Sequence, residues 1–169
     1  MNNVDSFRNI KFGGTFYARL RDYESGEVLQ VVTTSGESLS VVPAKNIVLD
    51  GAYCAFAGGS IPVDALWINV GSGTSIPSGS QSGLDYTPAG TNPGTFTRDL
   101  INDLKWTISA YFGPLEANGN LTEVGASWSS DSIYLNRALF REPGGSPVII
   151  TKTESQVLDV TLEFQISRS

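Results

Sequence analysis

Four acidic side chains with apolar neighbours, Asp50, Asp64, Glu116 and Glu123, are the groups from which a hydrolytic carboxylate pair would be drawn. Such a pair keeps one carboxyl protonated as the acid and a second ionised across the scissile bond. No spacing among the four selects two of them, and most acids on a β-rich chain occupy solvated strand or turn positions. Gly71-Ser72-Gly73-Thr74 presents successive backbone amides of the kind that cradle an anion. It lacks the lysine of a Walker loop, and Ile76 stands where a dinucleotide fingerprint needs its third glycine. The chain contains no histidine, so a Ser/His/Asp triad, a Cys/His dyad and a His-ligated metal are excluded. Its single cysteine, Cys54, forbids an intrachain disulfide and has no basic neighbour to activate it as a nucleophile. Calcium loops of the DxDxDG type are absent. The expectation is therefore a protein that is not an enzyme, with no cofactor and no metal.

Aromatic side chains are the remaining chemistry-bearing groups. Trp67, Trp106, Trp128, Tyr111 and Tyr134 could line a sugar groove, because rings stack on the apolar faces of sugars while their polar edges stay wet. Trp67 and Trp106 fall on the buried phase of their strands and read as core. Trp128, beside a serine-rich turn, and Tyr111, on the polar phase of its strand, are the better surface candidates. Asn120-Leu121-Thr122 matches a glycosylation acceptor, which would matter only in a secreted protein.

The elements that must position these groups are short strands. The chain has 169 residues, enough for one domain with a sizeable core. Its 18 glycines and 8 prolines call for many turns and few long helices. A formal net charge of −6 opposes nucleic-acid binding, and 17% charged residues, against roughly 25% in ordinary soluble domains, suits a surface that lies against neighbours. The first residues lack a basic region followed by an apolar run, and no stretch approaches the roughly 18 apolar residues of a membrane helix, so neither a signal peptide nor a membrane contact is expected.

Along the chain, residues 1–11 read as an N-terminal arm and 12–169 as one domain. Strands are expected at 12–21, 28–34 and 39–42, the last stopped by Pro43. Asp50 can cap a short helix ending at Gly58-Gly59. Residues 65–70 follow as a buried strand. The stretch 71–97 is a long Gly/Ser/Pro-rich loop whose isolated apolar anchors are Leu84, Tyr86 and Phe96. It reads either as a surface loop tethered by those anchors or as an extended arm that orders against a neighbouring subunit. Leu104, Trp106, Ile108, Ala110 and Phe112 alternate with polar residues, as do Leu158, Val160, Leu162, Phe164 and Ile166, so each set marks a strand with one buried face. Between them, 121–128 and 133–140 pair as a hairpin and 148–151 forms a further strand. Strands punctuated by Gly and Pro at such intervals predict an all-β fold: an antiparallel β-sandwich, jelly-roll-like, with one short helix.

The order of motifs adds a resemblance. Asn46-Ile47-Val48 with Gly51 and an Ala-rich segment to Gly58, then Trp67-Ile68-Asn69-Val70-Gly71-Ser72-Gly73-Thr74 with Pro77 and Leu84, resembles small virion structural proteins of tailed bacteriophages. Leu121-Thr122-Glu123-Val124-Gly125, Asn136-Arg137-Ala138-Leu139-Phe140 and Val148-Ile149-Ile150-Thr151-Lys152-Thr153 extend it, over roughly residues 46 to 167. The resemblance implies a β-rich particle component located in the virion: a capsid decoration (cement) protein, or a neck, baseplate or tail-fibre part with a glycan-binding surface. Its partners would be the major capsid protein or other virion proteins, and it would form a homo-oligomer, with a trimer suggested by shell symmetry. The interaction candidates are Leu84, Tyr86, Phe96, Tyr111 and Trp128. Gly71 and Gly73 are expected to let the chain leave a strand in a conformation closed to residues with a Cβ. Gly125 would permit a kink or bulge. Glu123 and Arg137, on adjacent strands, would form an ion pair worth under about 1 kcal/mol if exposed.

Overall fold

The computed structural model describes residues 10–50, 52, 66–98, 105–128 and 133–168. Its frame is two five-stranded antiparallel sheets. The first takes β1 (Ile10–Asp22), β4 (Val42–Lys45), β8 (Thr95–Arg98), β9 (Lys105–Phe112) and β14 (Gln156–Arg168) in the order β4-β1-β14-β9-β8. The second takes β5 (Ile47–Val48), β6 (Trp67–Gly71), β7 (Gly90–Pro93), β11 (Glu123–Ser127) and β12 (Tyr134–Leu139) in the order β5-β12-β11-β6-β7. Two small ribbons complete it: β2 (Val31–Val32) with β3 (Ser38–Leu39), and β10 (Gly119–Leu121) with β13 (Ile150–Lys152).

The chain changes sheets at both sides of the sandwich. Asn46 carries it from β4 to β5, held by a bond from the Gly14 amide to its side-chain oxygen at 3.1 Å. Gly94 carries it back from β7 to β8, where a Cβ would press on Ile108 and sit 2.9 Å from the Leu66 carbonyl. Both corners are thus short strands that bend from one layer into the other. The two-sheet antiparallel architecture is the expected one, with five strands in each sheet.

Period-two alternation explains the interior. Phe16, Ala18 and Leu20 of β1, Ile108, Ala110 and Phe112 of β9, and Val160, Leu162 and Phe164 of β14 point inward from the first sheet. They meet Ile68, Val70, Val124, Ala126, Leu135 and Ala138 from the second in one continuous cluster. Burying each larger apolar side chain contributes about 1.5–3 kcal/mol, which makes this interface the principal source of stability. Trp106 belongs to it, with its ring 4.9 Å from that of Phe164.

Several local expectations change. Pro43 lies inside β4 opposite Tyr17, and it is tolerated there because β4 is an edge strand with no ladder on its other side. The strand expected over 28–34 shrinks to an isolated bridge from Arg21 to Val28 and the two residues of β2. In the segment 71–97, Gly71 ends β6, residues 90–93 form β7 beside β6 and 95–98 form β8 beside β9, so the irregular chain runs from 72 to 89. Ile10 and Lys11 already belong to β1, while 1–9 lie outside the described residues. Of the expected helix, Asp50 and Ala52 are helical; the remainder, Cys54 included, lies outside the described residues, as do Asp64 and the turn at 129–132.

Candidate functional site

Antiparallel sheets commonly leave one face to water, and the first sheet does so. The second does not. Every residue of β11 and β12 is buried, because the irregular chain 72–89 crosses the outer face of this sheet. Glu123 on β11 and Arg137 on β12 lie diagonally across the hairpin, and Arg137 Nε donates to Glu123 Oε2 at 2.8 Å. Both side chains are fully buried.

The crossing segment is fastened to this pair. The Gly73 amide donates to Glu123 Oε1 at 2.8 Å and the Asp85 amide to Oε2 at 3.2 Å. Arg137 Nη2 reaches Asp85 Oδ2 at 2.9 Å, and Nη1 donates to Gln81 Oε1 at 2.9 Å. Asp85 in turn accepts from the Ser75 amide and hydroxyl. Desolvation raises the Asp85 carboxyl, but the Ser75 hydrogen bonds and the Arg137 charge outweigh it and hold the group below its ordinary range. The cluster is an internal fastener that ties the crossing segment to the sheet.

Two readings of this region are corrected. The Glu123–Arg137 pair forms but is buried, where desolvation and unpaired charge carry several kcal/mol, in place of the small value of an exposed pair. Gly71 and Gly73 have no positive φ; they are needed because the Glu123 carboxylate approaches their Cα atoms so closely that a Cβ on Gly71 would lie 2.8 Å from Oε1. Of the Gly-rich turn, the single Gly73 amide meets an anion, and that anion is the chain's own glutamate. Beside Gly125 the ladder bulges between Ala126 and Ser127, and a Cβ on Gly125 would lie 3.0 Å from the Tyr134 ring.

A second buried charge locks the turn at 113–119. Lys152 Nζ donates to the Gly113 carbonyl at 2.7 Å and to Asn118 Oδ1 at 2.8 Å, and burial lowers its pKa against a smaller opposing effect of Glu116. Glu116 accepts from the Gly113 amide at 2.7 Å and from Asn92 at 3.1 Å. Of the four candidate acids, then, Glu123 and Glu116 are bound into structure and Asp50 is exposed beside Gly79. Among the described residues, no group of three or more His, Cys, Asp or Glu side chains is placed to hold a metal, and no helix is long and apolar enough to cross a membrane.

The interaction candidates do not converge. Leu84 is half-buried, its Cδ1 3.1 Å from the position of a Cβ on Gly71, and so helps to seat the crossing segment. Tyr86, in the same segment, is 68% exposed. Phe96 and Trp128 are half-buried against the core, Trp128 on the second-sheet side and Phe96 on β8. Tyr111 is exposed on the outer face of the first sheet. Sequence reasoning missed Tyr17, also exposed on that face, and the polar fastener of Asp85, Gln81 and Ser75. The one readable signal of the fastener was a Glu and an Arg on the polar phases of two hairpin strands, with Gly71 and Gly73 two residues apart.

No protein-family model, curated protein or solved structure matches the chain.

Proposed function

We propose that this protein is a structural component of a tailed-bacteriophage virion, and that it acts as a capsid decoration protein binding and stabilising the assembled shell. The observation that carries this reading is the disposition of its polar groups. Among the described residues the buried charges are committed internally: Glu123, Arg137 and Lys152 hold the crossing segment and the 113–119 turn in place, and Glu142 accepts from Ser35. The exterior offers a sandwich of low charge with apolar side chains left in water, among them Leu115 at 83% and Ile76 at 79% exposure. Such a molecule is suited to occupying area between other proteins, where repeated modest contacts around a symmetric shell add up. The motif order along residues 46–167 supports the same reading, with the major capsid protein as partner and a homo-oligomer, a trimer by shell symmetry, as the binding form. Co-sedimentation with assembled shells and with free coat subunits tests it. Binding is expected to shells with little to free subunits; equal binding to both, or to neither, overturns it.

A second reading, a neck, baseplate or tail-fibre part, is favoured by the exposed aromatic residues of the first sheet, which suit contact with a host surface. Labelling the protein on intact particles separates the two positions.

A further inference from the structure

The outer face of the first sheet carries a shallow trough across β1, β14 and β9. Strand register places Tyr17, Thr161 and Ser109 in one row and Arg19, Asp159 and Tyr111 in the next. The two tyrosines thus stand at opposite corners of this patch. Two strand spacings of about 4.8 Å and one two-residue step of about 6.8 Å put their backbones roughly 12 Å apart. One depression of about 310 Å³ lies on the Tyr17 side and one of about 570 Å³ on the Tyr111 side, and Asp159 lines both.

The groups between the rings are pre-oriented. Arg21 grips Asp159 with two parallel bonds from one guanidinium edge, Nε to Oδ2 at 2.6 Å and Nη2 to Oδ1 at 3.1 Å. The Ser109 and Thr161 hydroxyls are 2.9 Å apart. Lys105 stands 3.4 Å from Glu163, the third carboxylate of the trough, Glu116, accepts from the Gly113 amide and from Asn92, and Arg19 adds a further cation and donor. Beside the two tyrosines the lining offers few apolar side chains: Val41 and Pro93 are the larger aliphatic ones in the two depressions, and the rest is polar or charged apart from Ala110.

We infer that this trough is a binding site for a neutral oligosaccharide, stacked on Tyr17 and Tyr111 and hydrogen-bonded through its hydroxyls to Asp159, Arg19 and the Ser109–Thr161 pair. The ring faces match the C–H faces of a sugar, and fixed acceptors and donors between them match a ligand that is both. Balanced charge in the trough and the chain's net −6 disfavour an anionic glycan. The inference deepens the reading of a host-facing component and does not bear on shell binding.

Native electrophoresis of the whole protein through gels containing dextran, galactomannan or laminarin tests it, with alginate as the anionic control. At least one neutral polysaccharide is expected to retard the wild type, with retardation weakened tenfold or more in Tyr17→Ala and in Tyr111→Ala and unchanged in Tyr86→Ala. Both tyrosines are exposed, and unchanged circular dichroism verifies that the variants fold. Absence of retardation by all three neutral polymers, retardation by alginate alone, or retardation of both tyrosine variants as strong as that of the wild type overturns the site. Concentration-dependent self-association abolished by Tyr17→Ala, without any retardation, assigns the face to a second copy and also overturns it. Particle labelling at a tail or neck position alongside a negative gel result would discard this site while leaving the host-facing reading intact.

Discussion

Replacing Arg137 by Met keeps most of the side-chain volume and removes the charge beneath the crossing segment. In the native protein Arg137 joins Glu123 at 2.8 Å, Asp85 at 2.9 Å and Gln81 at 2.9 Å with no exposed surface of its own. Without it, a fully buried carboxylate remains beside a second one, and the two backbone amides that Glu123 accepts cannot neutralise both. Breaking a buried pair from one side costs about 3–5 kcal/mol. For a domain of this size that lowers Tm by roughly 6–20 °C, at about 2–4 °C per kcal/mol. Against native stabilities of about 5–15 kcal/mol the variant stays folded at room temperature except at the lowest end of that range. Urea unfolding followed by tryptophan fluorescence measures the loss, and a cycle with Glu123→Leu isolates the pair. The double variant should be less destabilised than the sum of the singles by about 1–3 kcal/mol. Hydrogen exchange should quicken at the Gly73 and Asp85 amides ahead of the core strands, because the segment lets go before the sheets do. A single-variant cost below about 1 kcal/mol, the worth of an exposed pair, refutes the argument that these charges hold the segment down.

Three further outcomes follow from the same geometry. The folded pKa of Asp85 lies below its ordinary value, so its contribution is present above the unfolded pKa near 3.8 and is lost as pH falls through the folded one; acid unfolding titrations should show a shallower loss below pH about 4 in Asp85→Asn than in the wild type, and parallel curves would contradict this. Lys152 is buried and bonded to carbonyl oxygens, so amine-reactive labelling read by mass spectrometry should modify Lys45 and Lys105 long before Lys152, and Lys152→Met should cost about 1–3 kcal/mol by leaving those acceptors unpaired. Gly73→Ala should destabilise by about 1–3 kcal/mol, because its Cβ would enter the space of the Glu123 carboxylate, while Gly13→Ala, with nothing near its Cβ, should change stability by under about 0.5 kcal/mol; equal effects at the two positions would show that the carboxylate gives way freely.

Much of the frame was legible because period-two patterning is a local property. Trp106, Ile108, Ala110 and Phe112 alternate with polar residues, and β9 buries them as that alternation requires. The same holds for Leu158 to Phe164 in β14, and the hairpin of β11 and β12 lies where its turn residues place it. Edge strands were less legible: Pro43 reads as a stop, and only its position at the rim of a sheet makes it a strand residue. The candidate site was the least legible part. Asp85 sits 38 residues before Glu123 in the chain, and Ser75 sits 62 before Arg137, so no window of sequence contains the fastener. Tyr17 and Tyr111 belong to strands far apart in the chain and share a face because β14 lies between them.

By itself, then, the sequence determines an all-β chain, the phase of its principal strands and the lack of histidine chemistry, since composition and alternation need no partner to be read. The tertiary structure alone decides which polar faces are wet. Alternation separates the two sides of a strand but says nothing of what covers the polar one. Glu123 and Arg137 carry the same pattern as Asp159 and Arg19, yet an irregular segment lies over the first two, while the others face solvent. That difference turns one charged pair into an internal fastener and leaves the other residues on an open surface able to meet another molecule.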